Sequence, residues 1–236
     1  MFVIKTKINQ KLNKKGFTLA ETLVTLAIIG VIAAITLPAL IANTQERQAI
    51  ASYKKAMNTL NMAVQLNVAK DGFDFSSIIN NTKPAADNIY AQGTDMADQS
   101  VWGILATKAM VDISATTSGK EIPGDCKGES SGDMQLYQIF FTDGTALCYR
   151  PWTADNLTYK NMGIRALIDI NGLKGPNKQS ACDDADCLSG KKIRDQFLVT
   201  LMDGSVFPGA VSKTANGYQT SLTSKEGYAS LWAISH

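Results

Sequence analysis

Lys14-Lys15-Gly16-Phe17-Thr18-Leu19-Ala20-Glu21 joins a basic leader to a long apolar run. The run extends from Phe17 to Ala42, and Glu21 is its only charged residue. A bilayer span needs roughly 20 predominantly apolar residues, so this run is long enough to cross one. An ionisable side chain inside such a span is costly, which makes Glu21 a functional candidate. Gly30 and Pro38 interrupt the run. Proline has no N–H, and its ring presses on the carbonyl four residues back, here that of Ala34, so a kink is expected at Pro38. Neighbouring helices satisfy the freed groups when such a breaker lies in a membrane.

The leader, residues 1–16, carries Lys5, Lys7, Lys11, Lys14 and Lys15 and no acid. Lysines before a span favour a cytoplasmic N-terminus, which places the rest of the chain beyond the inner membrane. A secretory signal peptide has an apolar region of about 7–15 residues, followed by a small-residue cleavage site. Here the run is longer and the polar break precedes it. No cysteine follows the run closely, which removes a lipoprotein site, and a plain anchor has no need of Glu21. The junction resembles the processing site of type IV prepilins and the related pseudopilins. That resemblance implies cleavage by a prepilin peptidase between Gly16 and Phe17, followed by methylation of the new N-terminal Phe17. It also implies entry into a helical filament with other subunits, through Glu21, at an inner-membrane assembly platform. The stretch from Gly30 to Pro38 would then unwind and extend as subunits leave membrane lipid.

Composition agrees with a head outside the cytoplasm. The 236 residues suggest one or two domains. The net charge of +2 owes its sign to the leader, because the remainder holds 18 basic and 21 acidic residues, near −3. The basic balance is therefore no argument for nucleic-acid binding.

Three parts follow: the leader at 1–16, one long helix over 17–70 whose first part, 17–42, is the membrane span and filament core, and a globular extracytoplasmic head over 71–236. From Ile50 the apolar pattern narrows to one face, with Tyr53, Met57, Leu60, Val64 and Val68 at spacings of three and four. Arg47, Lys54, Lys55, Asn58, Asn61 and Gln65 form the polar side. Asp71-Gly72 is a stop signal, since glycine readily takes the left-handed conformation after a last turn. A continuous helix from Phe17 to Lys70 would be about 80 Å long at 1.5 Å per residue, more than a bilayer holds. The remainder is expected to pack on the head through the face beginning at Ile50.

The head reads as an antiparallel sheet, which makes the whole an α+β, pilin-like arrangement. Leu136–Thr142 and Thr145–Tyr149 flank Asp143-Gly144, and Gln196–Met202 and Ser205–Phe207 flank Asp203-Gly204. Asp-Gly between such runs is a strong hairpin signal. Ile164–Ile170 is a fifth strand candidate, and Gln99–Met110 holds a short helix with Val101, Leu105 and Met110 near one face.

Cys126, Cys148, Cys182 and Cys187 all lie in the head. An even count in an exported domain implies disulfides, with three connectivities possible. Local pairing favours Cys182 with Cys187 and Cys126 with Cys148, and the latter loop is worth about 3 kcal/mol in the chain-entropy model. A four-cysteine zinc site is the rival, but Cys126 and Cys148 lack the short paired spacing such sites use.

Asp169-Ile-Asn171-Gly172-Leu173-Lys174-Gly175-Pro176-Asn177 is the second motif. Asn-Gly and Gly-Pro are turn formers, so a plain turn is one reading. The other is a calcium loop, with Asp169, Asn171 and Asn177 as hard oxygen ligands and Asp195 reaching in. It is no EF-hand, because Lys174 stands where that loop needs glycine. The stretch is similar to a D-x-N-G-x-x-G-P-N segment in pseudopilin heads, and the resemblance implies calcium near it. Asp183, Asp184 and Asp186 are another ligand source for a cation, although such a run is usually a solvated loop. No cofactor other than calcium is expected.

Catalysis finds little support. The only histidine, His236, is the last residue, which removes the usual Ser-His-Asp, Cys-His and zinc-hydrolase arrangements. Phosphate-binding glycine loops are missing as well. The reading is a structural filament subunit, with a membrane-anchored ligand-binding head that does not polymerise as the rival and an anchored enzyme a distant third.

Overall fold

The computed structural model describes residues 16–79, 101–106, 112, 137–149, 163–175, 178–180, 193–221 and 225–235. The chain divides into two units, Met1–Asn43 and Thr44–His236. Helix α1, Leu19–Asp71, supplies residues to both.

Within the first unit α1 is apolar on all sides. Every leucine, isoleucine and valine from Leu19 to Ile41 is at least 52 % exposed. Each such side chain gains roughly 1.5–3 kcal/mol when buried, and the helix is long and apolar enough to cross a membrane. Its hydroxyls are turned inward on the helix itself: Thr22 Oγ1 donates to the Leu19 carbonyl at 2.9 Å, and Thr36 Oγ1 to that of Ile32 at 3.0 Å. A bilayer would demand this, because it offers no water to satisfy them. The helix continues through both Gly30 and Pro38.

In the second unit α1 buries Tyr53, Ala56, Met57, Leu60, Ala63, Val64 and Asn67. Val68, expected on this face, is 43 % exposed. A stripe on a 3.6-residue helix drifts, and three residues after Val64 the inward position is Asn67. Its Nδ2 donates to the Phe73 carbonyl at 2.7 Å, tying down the chain that leaves the helix. The helix stops where the sequence says. Gly72 has φ 75°, and its N–H donates to the Val68 carbonyl at 3.1 Å, a left-handed cap.

Five antiparallel strands follow in simple meander order: β1 (Tyr137–Phe140), β2 (Ala146–Tyr149), β3 (Ile164–Asp169), β4 (Gln196–Met202) and β5 (Ser205–Pro208). Both Asp-Gly hairpins form. Phe140 faces Ala146 across the first, where Gly144 has φ 88°, and Met202 faces Ser205 across the second, where Asp203 itself turns left-handed at φ 49°. Aspartate tolerates that conformation better than most residues. Tyr53 of α1 stacks on Phe197 of β4, with ring centroids 4.2 Å apart and planes 11° from parallel. Short helices α2 (Phe75–Ile79) and α3 (Val101–Ala106) add Phe75, Val101, Ile104 and Leu105 to the same core. α3 lies inside the expected helical span, and Met110 falls outside the described residues.

Four elements were not expected, α2 and the three that follow β5. Strands β6 (Ala210–Thr214) and β7 (Gly217–Ser221) form a second, two-stranded sheet, and helix α4 (Lys225–Ser235) packs on β4 and β5. Asn216-Gly217, with Gly217 at φ 103°, is a turn signal that marks the β6–β7 hairpin.

Asn61 departs from its expected place on the polar face. Its Oδ1 accepts from the Val206 N–H at 2.8 Å, and its Nδ2 donates to the Val206 carbonyl at 3.2 Å. Strand β5 is the sheet's edge, and the amide from α1 stands in for a sixth strand. Asn61→Leu leaves both backbone groups unserved in a half-buried place, an expected loss of about 1–3 kcal/mol. Denaturant unfolding followed by near-ultraviolet circular dichroism reads it as a lower midpoint with an unchanged slope. An unchanged midpoint would show that solvent serves the edge equally well.

Candidate functional site

The first site is the start of α1. Gly16, Phe17 and Thr18 are non-helical, and Phe17 is 88 % exposed. Among the described residues, its own chain neighbours apart, no atom lies within 4 Å of where a side chain at Gly16 would begin. Thr18 and Glu21 then close a reciprocal cap. The Thr18 N–H and Oγ1 donate to Glu21 Oε2 at 2.8 and 2.9 Å, and the Glu21 N–H donates to Thr18 Oγ1 at 3.2 Å. This is the capping box, in which a threonine and a glutamate three residues on satisfy each other's backbone donors. Helix hydrogen bonding starts at once, with the Thr22 N–H on the Thr18 carbonyl at 3.2 Å. The helix therefore opens at Leu19, two residues later than Phe17. Reading the sequence for charge singled out Glu21 and passed over Thr18, although the Thr-x-x-Glu spacing was there to find. Gly30 and Pro38 lie inside the helix.

The second site gathers at the end of β3. Asp169 faces Gln196 across the β3–β4 ladder. Asp169 Oδ2 accepts from Gln196 Nε2 at 2.8 Å, and Oδ1 accepts from the Asn171 N–H at 3.1 Å. Asn171 Nδ2 donates to Asp195 Oδ2 at 3.2 Å and to the Gly175 carbonyl at 3.3 Å, while Asp195 Oδ1 accepts from the Lys178 N–H at 2.8 Å. Three of the four expected ligands, Asp169, Asn171 and Asp195, are thus brought together. Asn177 lies outside the described residues. Burial pushes the Asp169 carboxyl up to about 6, and the charge of Asp195 adds to that, against the hydrogen bonds from Gln196 and the Asn171 and Gly172 backbone. Among the described residues, two amide oxygens of this site, Asn171 Oδ1 and Gln196 Oε1, are buried without a hydrogen-bond partner. Gln196 was not anticipated, since only the strand register brings it to Asp169. Gly172, at φ 64°, is held against the β1–β2 turn, where a Cβ would lie 2.8 Å from the Gly144 carbonyl oxygen. The donor set is oxygen only. Among the described residues no cluster of three or more His, Cys, Asp or Glu is present.

Cys148 is disulfide-bonded and buried on β2. Cys126, Cys182 and Cys187 lie outside the described residues. A pocket of about 130 Å³ sits between α1 and the β1–β2 turn, lined by Ala56, Leu60, Phe141 and Ile168 together with the Lys55–Asp143 ion pair at 3.0 Å. Ligand pockets usually run to about 300–1,000 Å³, so this one is small.

Residues 11–37 match the family model for the prokaryotic N-terminal methylation motif, the signature of prepilin-type cleavage in type IV pilins and pseudopilins. The family that bears this motif is structural rather than enzymatic. With the long apolar helix, the motif fits a membrane-anchored, single-pass protein. No curated protein matches the chain, and no solved structure does.

Proposed function

We propose that this pilin-like chain is a structural subunit of a type IV pilus-like or type II secretion pseudopilus filament. The observation that carries the reading is the junction itself. Lys11, Lys14 and Lys15 of the basic leader, an exposed Gly16-Phe17 bond, and a single carboxylate one turn into an apolar helix all fall in the matched methylation motif. The prepilin peptidase hydrolyses the bond between the Gly16 carbonyl and the Phe17 nitrogen. Gly16 has no side chain to obstruct that site, and the lysines hold it at the cytoplasmic face. The cut creates an amine on Phe17, and methylation leaves it able to carry a positive charge. Glu21 is the counter-charge, supplied by a neighbouring subunit's helix. That pairing sets the axial register between subunits, and a head-to-tail contact of this kind generates an open helical filament. The head then lies in the periplasm or outside the cell.

The loop at Asp169 is a calcium site in the same proposal. Two carboxylates with amide and carbonyl oxygens suit a hard cation and no soft one. Asp169, Asn171 and Asp195 would hold the ion, with Asn177 as the fourth side chain, and the two orphaned amide oxygens support the reading. With only two carboxylates the affinity falls in the weak extracellular class, on the order of 10⁻⁴ to 10⁻³ M. A tenfold excess of calcium over Kd would stabilise the head by about 1.4 kcal/mol. Thermal unfolding of metal-stripped full-length protein tests this. Calcium raises the midpoint of the wild type and leaves Asp169→Asn unmoved, and an unmoved wild type rejects the site.

Processing has its own test. Gly16→Val remains uncut, and mass spectrometry of membrane-extracted wild type shows an N-terminus at methylated Phe17. A mature N-terminus beyond Ala42 would contradict the reading.

Glu21→Gln separates charge from helix capping, since glutamine also closes a capping box. The variant is cleaved and membrane-inserted, and enters filaments poorly unless wild-type subunits are present. A normal filament yield from Glu21→Gln as the sole copy would show that the carboxylate does not drive assembly.

A further inference from the structure

Strand β7 pairs with β6 along one edge only, in a register running from Ala210 opposite Ser221 to Thr214 opposite Gly217. Alternate residues of a strand turn their N–H and C=O groups to its other edge. Among the described residues nothing pairs with that edge of β7. Gly217, Tyr218 and Gln219 are exposed residues of this strand.

Open edges invite another strand, and proteins usually blunt them with charge, proline or a cover. Strand β5 is treated in that way, held at Val206 by Asn61 and ending in Pro208. β7 is not. Its sequence, Gly-Tyr-Gln-Thr-Ser, has no charge and no proline, and five residues is an ordinary strand length rather than a shortened one. The charges beside it neutralise each other. Lys213 Nζ lies 2.7 Å from Asp203 Oδ2, which also accepts from the Tyr218 hydroxyl at 2.5 Å.

We propose that β7 pairs edge to edge, antiparallel, with β7 of a second copy of this chain. Identical neutral strands bring no like charges into opposition, whereas a charged edge would set them against each other. Full overlap about a twofold axis places Gln219 opposite its own counterpart and Tyr218 opposite Thr220. Such a contact is closed: it joins two heads and does not propagate. It is also small, well under the roughly 1,000 Å² of a stable interface. It therefore acts where copies are already concentrated, as in one membrane, by raising avidity. It does not rest on filament formation, because the uncleaved chain carries the same strand.

Full-length protein in detergent tests it by oxidation of Gln219→Cys. Facing residues of an antiparallel pair have Cα atoms about 4.5–5.5 Å apart, within disulfide reach. Lys213→Cys, on β6, would sit about three strand spacings, roughly 14 Å, from its counterpart and out of reach. The expected result is a covalent dimer of the Gln219→Cys chain in at least tenfold higher yield than of the Lys213→Cys chain or of wild type. Equal yields from both variants, no dimer of Gln219→Cys, or a Gln219→Cys chain bridged only to some other protein would overturn the proposal. A second measurement avoids new thiols. Mixed, separately labelled Gln219→Lys and Gln219→Glu chains form mixed pairs in preference to like pairs. Like pairs as abundant as mixed ones would also overturn it.

Discussion

The head depends on one packing contact, the inner face of α1 against the five-stranded meander. Tyr53 laid flat on Phe197 is its centre, and both rings are fully buried. An aromatic pair of this geometry contributes about 0.5–1.5 kcal/mol beyond the area it buries. Leu60 and Val64 extend the contact along the helix, and Asn61 fastens the helix to the edge strand beside it. The same helix carries the apolar segment of the first unit. The sequence of α1 thus changes from apolar all round to apolar on one face, and the change marks where the protein's own sheet begins to cover the helix.

Much of this could be read from the chain before folding it. The Asp-Gly pairs announced both hairpins of the meander, and Gly72 announced the end of α1. Apolar spacing found Tyr53, Met57, Leu60 and Val64. It erred at Val68 and Asn61, since periodicity ranks residues by polarity and has no term for a buried backbone that needs an amide. The β6–β7 hairpin was passed over despite Asn216-Gly217, because Ser212, Lys213 and Thr214 blur its alternation. Helix α4 is short and its apolar residues are interleaved with Ser230 and Ser235, which weakens its period.

The site at Asp169 shows a different limit. The local motif named Asp169 and Asn171, and these do lie together. Asp195 was a more distant candidate, 24 residues after Asn171, and Gln196 was no candidate at all. Sheet register decides both, because pairing Asp169 with Gln196 carries the preceding Asp195 to the same corner. Distances along a chain do not encode such a corner; the ladder does.

The capping box at Thr18 and Glu21 has a consequence for the order of events at the membrane. Among the described residues, every hydrogen bond that starts α1 lies on the C-terminal side of Gly16. Removal of the leader, as proposed, would therefore break none of them and require no new turn to nucleate, the step that makes helix formation slow to begin and entropically costly. The helix that would leave the peptidase is the helix that entered it. Processing of the proposed kind would act as a change of charge on a finished scaffold, removing the leader's lysines and leaving one terminal amine while the geometry around Glu21 stays fixed.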